Sequence, residues 1–515
     1  MIVDLTTIEA GEVLEADLII IGGGLAGITL ANSLLKDGLS VILLEAGGLD
    51  VDLDNQAQYE GNATLSDGKH ESLELDGFLT DSRVRAYGGS GHWWGGKCAP
   101  LSAEDFESRE WVPESGWPIS RTDLNPYYDM ACDSLNIDRF NHTKPDLTPS
   151  QGNYIGINDN ENLTSRPRRF TRITGQNRHQ EDFDRFRFKT RDSNTTSVYL
   201  NANVVGFDMR RDKTALSGVR IETLAGKTFI ARGKQFVLAC GGLENIRLLL
   251  AAAQSGDITL DKTVKSLGRY FQGHLAFDLY ADKRSSGTKL LLAETSDDIS
   301  AYTNNSSEGE KVVIAVTRQG QKASGSGAMT LTLSRDSTID RHGGLAIEAT
   351  YQTLLSSSFM QSKVQNLACY FMPENRPLAE SRVTLSDVTD RFGMPRIELN
   401  WVFGTQDKLA FQKAIALAAS EFGSSGKGRV CADIPNVEYF DSVNISRHHM
   451  GGTRMSRSAE TGVVDPNLRH HDIENLFVLG SSVFPTSGIA NPTLTILALA
   501  FRLSQHLSET VFDDR

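Results

Sequence analysis

The chain has 515 residues, too many for one hydrophobic core, so it predicts two or more domains. Its 52 basic residues against 65 acidic ones give a formal charge of −13, which excludes a protein that wraps a polyanion through its overall field. Five scattered cysteines without a C-x-x-C pair exclude a disulfide frame and a zinc site, so no metal is expected. No stretch reaches the ~18 uninterrupted apolar residues of a membrane span. The acidic first sixteen residues lack the basic and apolar parts of a signal peptide. The expectation is a soluble, cytoplasmic protein with no nucleic-acid partner, in which sequons such as Asn141-His142-Thr143 carry no meaning.

Residues 17–21, DLIII, read as a buried parallel strand. Gly22-Gly23-Gly24-Leu25-Ala26-Gly27 follows with G-x-G-x-x-G spacing, then a helix through ITLANSLLKDG closed by Gly38. The next strand, SVILLEAGG, carries Glu45, 18 residues beyond Gly27. Gly22 allows the tight turn, Gly24 lets the backbone reach a pyrophosphate, and Gly27 lets helix and strand pack closely. The helix N-terminus supplies N–H groups and partial positive charge. Glu45 is placed to accept both ribose hydroxyls of an adenosine, which favours FAD or NAD over NADP. The position of this fingerprint at the start of the chain favours FAD.

Residues 81–98, DSRVRAYGGSGHWWGGKC, form a second glycine-rich segment suited to lie against a flat ring system. Ser120 or Thr122 is a candidate cap for a helix starting near 123–126. Residues 164–189 alternate Arg with Phe, but Glu181, Asp182 and Asp184 interrupt the charge. They read as a loop and a helix face whose arginines snorkel over apolar surface. Strands return at SVYLNANVVGFDM, SGVRIETL and KTFIARGKQFVLACGG, the last leading into a helix with Glu244 near its positive end. Residues 281–400 hold Ser/Gly/Asn-rich loops between alternating strands such as GAMTLTLS, GGLAIEATY and SRVTLSD, the pattern of an inserted, largely antiparallel sheet.

Near the C-terminus, SRHHMGGTRMS sets His448 beside His449, and either is a candidate base, because histidine titrates close to neutral pH. NLFVLG reads as a strand whose end, Gly480, meets a cofactor. ANPTLTILALAFRLSQHL reads as a helix with Asn491 at the N-cap and Pro492 at the first position.

Taken together, the 22–27 fingerprint with Glu45, GGSGHWWGG, VLACGGLENIRLLL, H-x-G-G-T-R-M, G-V-V-D, N-L-F-V and A-N-P-T-L-T resemble the glucose–methanol–choline (GMC) family of FAD-dependent oxidoreductases. The motif style is similar to that of sugar-oxidising, pyranose oxidase-like members. The resemblance implies an α/β fold: a Rossmann-like FAD-binding domain of glutathione-reductase type with an inserted, mainly antiparallel-sheet substrate domain. Residues 14–112 and 196–280 would form two parts of the FAD-binding domain, 113–195 a cap segment, 281–427 the substrate-binding domain, and 428–515 the C-terminal part of the FAD and catalytic domain. Further cofactor contacts are implied at Leu25, Ala46, Arg85, Gly89, Ser90, Trp94, Gly95, Val204, Ala239, Gly480, Ser481, Pro492 and Thr493.

The family chemistry is oxidation of an alcohol by hydride transfer to flavin N5 while a histidine takes the hydroxyl proton. The resemblance puts that base at His449, four residues before Thr453, and its partner at Asn491, which orients the substrate oxygen. In an extended segment His448 would then point away and pack behind the site. Some relatives tether FAD through a histidine in the GG-x-x-x-H-W segment. Here Trp93 occupies that column and His92 lies one place early, so the expectation is non-covalent FAD. The implied substrate is a primary or secondary alcohol (a sugar, glycoside, aminosugar or polyol), and the implied acceptor is O2 or a quinone-like molecule, with an oligomer possible. The alternative is an FAD-retaining lyase resembling hydroxynitrile lyases.

Overall fold

The computed structural model describes residues 1–69, 72–142, 161–176, 179–277, 289–292, 302, 309–334, 365–426, 428–431 and 443–511. The strand expected at 343–351 lies outside these residues.

An eight-stranded sheet builds the N-terminal core. Its spatial order is Ile2–Asp4, Thr196–Leu200, Val41–Leu44, Val13–Ile21, Thr228–Leu238, Leu216–Glu222 and Asn203–Met209, with Leu476–Val478 also pairing to Thr228–Leu238. The first five run parallel, and the last two fold back as antiparallel neighbours. Val41–Leu44 is buried along its whole length, as expected of a parallel strand covered on both faces. Register aligns four carboxyl ends, since Ile21 pairs with Leu44 and Leu238, and Leu238 pairs with Val478. The residues that follow (Gly22, Glu45, Ala239 and Gly480) therefore emerge at one edge, where open α/β sheets bind ligands.

The helix after the glycine turn is Leu25–Ser33, shorter than the run to Gly38, whose φ of +69° belongs to the turn beyond. It packs against the C-terminal helix Thr493–His506, which also packs on Arg121–Ser134. Ser120 caps that last helix in a capping box with Asp123.

The second sheet is antiparallel throughout, in the order Gly428–Cys431, Lys289–Leu292, Gln365–Pro373, Met329–Ser334, Gly309–Val316, Leu163–Phe170 and Lys97–Cys98. This corrects the loop expected within 164–189. Leu163–Phe170 pairs over its full length with Gly309–Val316, and only Gln180–Arg187 is helical. Arginines at 166 and 168 occupy one face of the strand and hide its hydrophobic alternation. On the helix the snorkelling expectation is corrected at Arg187, whose buried guanidinium lies 4.5 Å from the Phe188 ring centroid and 5.5 Å from that of Phe183 and donates to Leu49 O and Tyr87 O.

A small third sheet joins Arg382–Thr389 and Pro395–Val402 to Gly61–Ser66 and Ser72–Glu74. Among the described residues, Cys98, Cys132, Cys240 and Cys369 are free thiols, and no helix is long and apolar enough to cross a membrane.

Candidate cofactor cavity and active site

A cavity of about 520 Å3 opens at the aligned strand ends. Every residue expected to touch a cofactor lines it except Gly27, which has the packing role instead. A Cβ on Gly27 would lie 2.0 Å from the Gly22 carbonyl oxygen, so only glycine lets the helix approach the turn. The two glycine-rich segments meet backbone to backbone. Gly24 bridges to Gly88, and a Cβ on Gly89 would lie 2.9 Å from the Gly24 Cα.

Glu45 is buried, with one carboxylate oxygen accepting from Gly23 N at 2.9 Å and the other from Gly47 N at 2.8 Å. Burial raises its pKa despite these bonds. Each oxygen keeps a further lone pair for a ribose hydroxyl. On the cavity wall, Glu244 lies within ion-pair reach of Arg83, Arg85 and Arg247, and Arg247 also pairs with Asp390. Burial opposes ionisation of Glu244, but Arg247, Arg85 and Arg83 outweigh it and hold the carboxyl below its usual range. Arg85, expected as a cofactor contact, is anchored here by Asn203 Oδ1 at 2.8 Å. The Trp94 indole N–H donates to Ile173 O at 2.8 Å, which fixes the ring at the cavity wall.

At the other end of the cavity the two histidines separate. The segment 446–450 runs antiparallel along 272–274, with Gln272 and Met450 exchanging both backbone bonds and Ser446 N donating to His274 O. That register sets His448 opposite His274, and their Nδ1 atoms are 2.9 Å apart with the rings at 90°. His448 Nε2 lies 3.0 Å from Asn491 Nδ2, so the structure pairs Asn491 with His448 and not with His449. His448 does not pack behind the site.

The hydrogen bonds form a chain with one consistent direction. His274 Nε2 sits 2.8 Å from the Gly488 carbonyl and must donate to it. In a neutral ring His274 Nδ1 is then an acceptor, so His448 Nδ1 donates to it. This leaves a lone pair on His448 Nε2, which receives the Asn491 amide N–H. Burial keeps both rings neutral: His274 is lowered to about 4, and His448 falls well below the usual histidine range, with His274, His449, Arg168 and Lys97 adding to the effect.

His449 also borders the cavity but stands among aromatic rings, edge-on to Phe78 at 5.4 Å and 6.3 Å from Phe271. Its Nε2 is buried without a hydrogen-bond partner among the described residues. Burial, and then Arg83, push it to about 3. The expected cap is corrected too. The helix begins at Thr493, Pro492 holds the cap position, and Asn491 makes its side-chain bond to His448. His92, the candidate tether, is 3.0 Å from Tyr87 O through Nε2, rests edge-on against Phe183 and does not line this cavity.

Residues 377–500 match the family model described as GMC oxidoreductase. That stretch, with the start of the C-terminal helix and both histidines in it, is what the chain shares with the GMC oxidoreductase model. The chain is similar to the fructose dehydrogenase large subunit of Gluconobacter japonicus, 23% identical over 96% of this chain and 98% of that one. It is likewise similar to 2-methyl-1,2-propanediol dehydrogenase of Mycolicibacterium austroafricanum, 24% identical over 97% and 96%. A structure of formate oxidase from Aspergillus oryzae RIB40, made to study FAD modification, aligns with a TM-score of 0.56 at 15% identity over 98% of this chain and 100% of that one.

The residues of this cavity fit FAD, the group named for that formate oxidase. The Gly22–Leu25 turn and helix end suit the pyrophosphate, buried Glu45 suits the ribose, and the His448–Asn491 end suits the ring system. Gly27→Ala is expected to weaken FAD binding roughly 10- to 100-fold, the equivalent of the ~1–3 kcal/mol of an overpacked site. Titrating flavin into the deflavinated protein measures it, and unchanged affinity would contradict the packing role.

Sequence reasoning missed His448 as the partner of Asn491, although the doublet itself was the signal. It also missed Lys97 and Arg168, which line the same cavity. No local motif marks either one.

Proposed function

We propose that the chain is a GMC oxidoreductase that holds FAD without a covalent bond and oxidises a primary or secondary alcohol of the sugar, glycoside or polyol class, with His448 as the base and Asn491 orienting the substrate oxygen. The observation that carries the reading is the directed chain from Gly488 O through His274 to the unprotonated Nε2 of His448, whose lone pair meets the Asn491 amide in the cofactor cavity. This revises the expectation that His449 is the base.

A bound flavin supplies the acceptor for the hydride that leaves the carbinol carbon. The substrate hydroxyl slips between His448 and Asn491, which are already in mutual contact. Its O–H donates to His448 Nε2 and its oxygen accepts from Asn491 Nδ2. As the C–H bond breaks, the hydroxyl proton passes to His448 Nε2 and the oxygen becomes a carbonyl. His274 holds the ring and its tautomer throughout. His92, bonded to a backbone carbonyl, supports the non-covalent reading. The names of the relatives, fructose dehydrogenase and a propanediol dehydrogenase, support a polyhydroxylated substrate.

The test is anaerobic mixing of the holoenzyme with sugars, sugar acids and simple diols. Bleaching of the oxidised flavin band is expected, and its return under air or with a quinone identifies the acceptor. Failure of every alcohol to bleach the flavin, with carbonyl release from a cyanohydrin, would overturn the reading in favour of a lyase.

A further inference from the structure

One face of the antiparallel sheet carries three cations that no described carboxylate answers. Arg168 lies directly across from Lys311 in the pairing of Leu163–Phe170 with Gly309–Val316. Lys97 lies across from Phe170, two residues further along the same strand and hence on the same face. Like charges set opposite each other destabilise a sheet. A buried charge without a partner is costlier still.

Arg168 is only 8% exposed. Among the described residues its side-chain hydrogen bonds are two long ones of 3.4 Å, to Thr330 Oγ1 and Ile489 O. The carboxylates nearby are committed elsewhere, Glu374 to Arg109 and Glu104 to Arg166. The electrostatics agree with the geometry. Burial alone lowers Arg168 to about 10, and burial followed by Lys97 and Arg168 lowers Lys311 to about 8. No carboxylate contributes in either case.

Arg168 and Lys97 both line the cofactor cavity. They stand at the His448 end, since Arg168 contacts Ile489, two residues before Asn491, and both cations act on His448. The phosphate cradle at Gly22–Leu25 is formed separately, by the turn and helix end. A second anion is therefore wanted beside the reacting alcohol. An arginine fork with a lysine is the arrangement that recognises oxyacid groups.

We propose that Arg168 and Lys97, backed by Lys311, form a subsite for an anionic oxyacid group, carboxylate or phosphate, carried by the alcohol substrate. The enzyme then acts on acidic sugars or hydroxy acids in preference to neutral sugars and aminosugars, despite the −13 charge of the whole chain. This rests on the alcohol-oxidising reading above, and the test separates the two.

Anaerobic flavin reduction is compared across glucose, glucosamine, gluconate, glucuronate and glucose 6-phosphate, and the oxidised holoenzyme is titrated with malonate through its flavin absorbance. The expected result is an apparent Kd for one acidic series roughly 10- to 100-fold below that of glucose, as charge-assisted bonds allow. Whether the carboxylates or the phosphate lead identifies the group. Lys97→Met, at a position open to the cavity, and Arg168→Met should each erase most of that preference and weaken malonate binding. Equal or tighter apparent Kd for neutral sugars would overturn the subsite. So would Arg168→Met shifting the flavin midpoint potential while the acid preference stays intact, because the cations would then serve the reduced flavin. If no alcohol reduces the flavin, the oxidoreductase reading fails. The malonate titration still decides the subsite, with binding lost in both variants supporting it and binding unchanged overturning it.

Discussion

His448→Ala is expected to lower the limiting rate of anaerobic flavin reduction by roughly 10²- to 10⁴-fold, the usual contribution of a positioned base. His449→Ala should lower it less than about tenfold, because its ring acts through packing. The two residues differ in what their Nε2 atoms meet: His448 reaches the Asn491 amide at 3.0 Å, whereas His449 Nε2 is enclosed beside Phe78. FAD content and absorbance should survive His448→Ala, since the phosphate cradle lies at the other end of the cavity. The pH dependence supplies a second check. Burial first, then His274, His449, Arg168 and Lys97, lower the pKa of His448 well below the ordinary histidine value. The basic form is then already complete at neutral pH, and the reduction rate should stay flat from pH 8 down to about 6. A rate lost with a midpoint near ~6.5 would mean an ordinary, solvated histidine. Retained reduction in His448→Ala together with its loss in His449→Ala would return the base to His449.

The difference between neighbours 448 and 449 explains how much of this protein is legible in its sequence. The strand, glycine turn and helix around Gly22 could be read because each part is local. Gly22, Gly27 and Glu45 are fixed by a strand, a turn and a helix within about thirty residues, and their spacing states the geometry. The Ser120–Asp123 capping box is local in the same way. The histidine pair is not. In an extended segment adjacent residues face opposite ways, so a register difference of one residue exchanges their roles. That register is set by residues 272–274, more than 170 positions away, through the Gln272–Met450 pairing. A family spacing from His449 to Thr453 cannot report it.

Arg168 shows a second limit. Its strand is recognisable only once Gly309–Val316 pairs with it, because charged residues fill the face that turns to the cavity. The third sheet, which joins 61–66 to 395–402, is equally nonlocal. Fold class was therefore readable from motifs, and the assembly of the substrate-side sheets was not.

Arg109→Met should destabilise the protein by about 3–5 kcal/mol, as expected when one partner of a buried ion pair is removed. Neither side chain of the Arg109–Glu374 pair is exposed, and the contact is a two-pronged one at 2.8 Å on each arm. The Glu374 carboxylate also accepts from Ala328 N at 2.8 Å and Gly488 N at 3.0 Å. Without Arg109 it becomes an unanswered buried charge beside Asp105, whose carboxyl burial, and then Glu374, already push up to about 6. A carboxyl whose folded pKa exceeds its unfolded value contributes most at low pH and loses that contribution as pH rises through the folded value. The deficit of Arg109→Met should accordingly grow between pH 5 and about 7, as the carboxyls ionise without the Arg109 guanidinium that pairs with Glu374. Urea midpoints of the holoenzyme at the two pH values measure both effects, and a deficit under about 1 kcal/mol at either would contradict the account. Replacing both partners, Arg109→Met with Glu374→Met, should restore part of the loss by removing the stranded charge. Stability and activity should then part company. The double variant loses the carboxylate that holds Gly488, and Gly488 O is the acceptor that fixes the His274 tautomer. Partial recovery of the urea midpoint with a persistently slow flavin reduction would show that this ion pair, remote from the substrate, positions the base through the loop carrying Gly488 and Asn491.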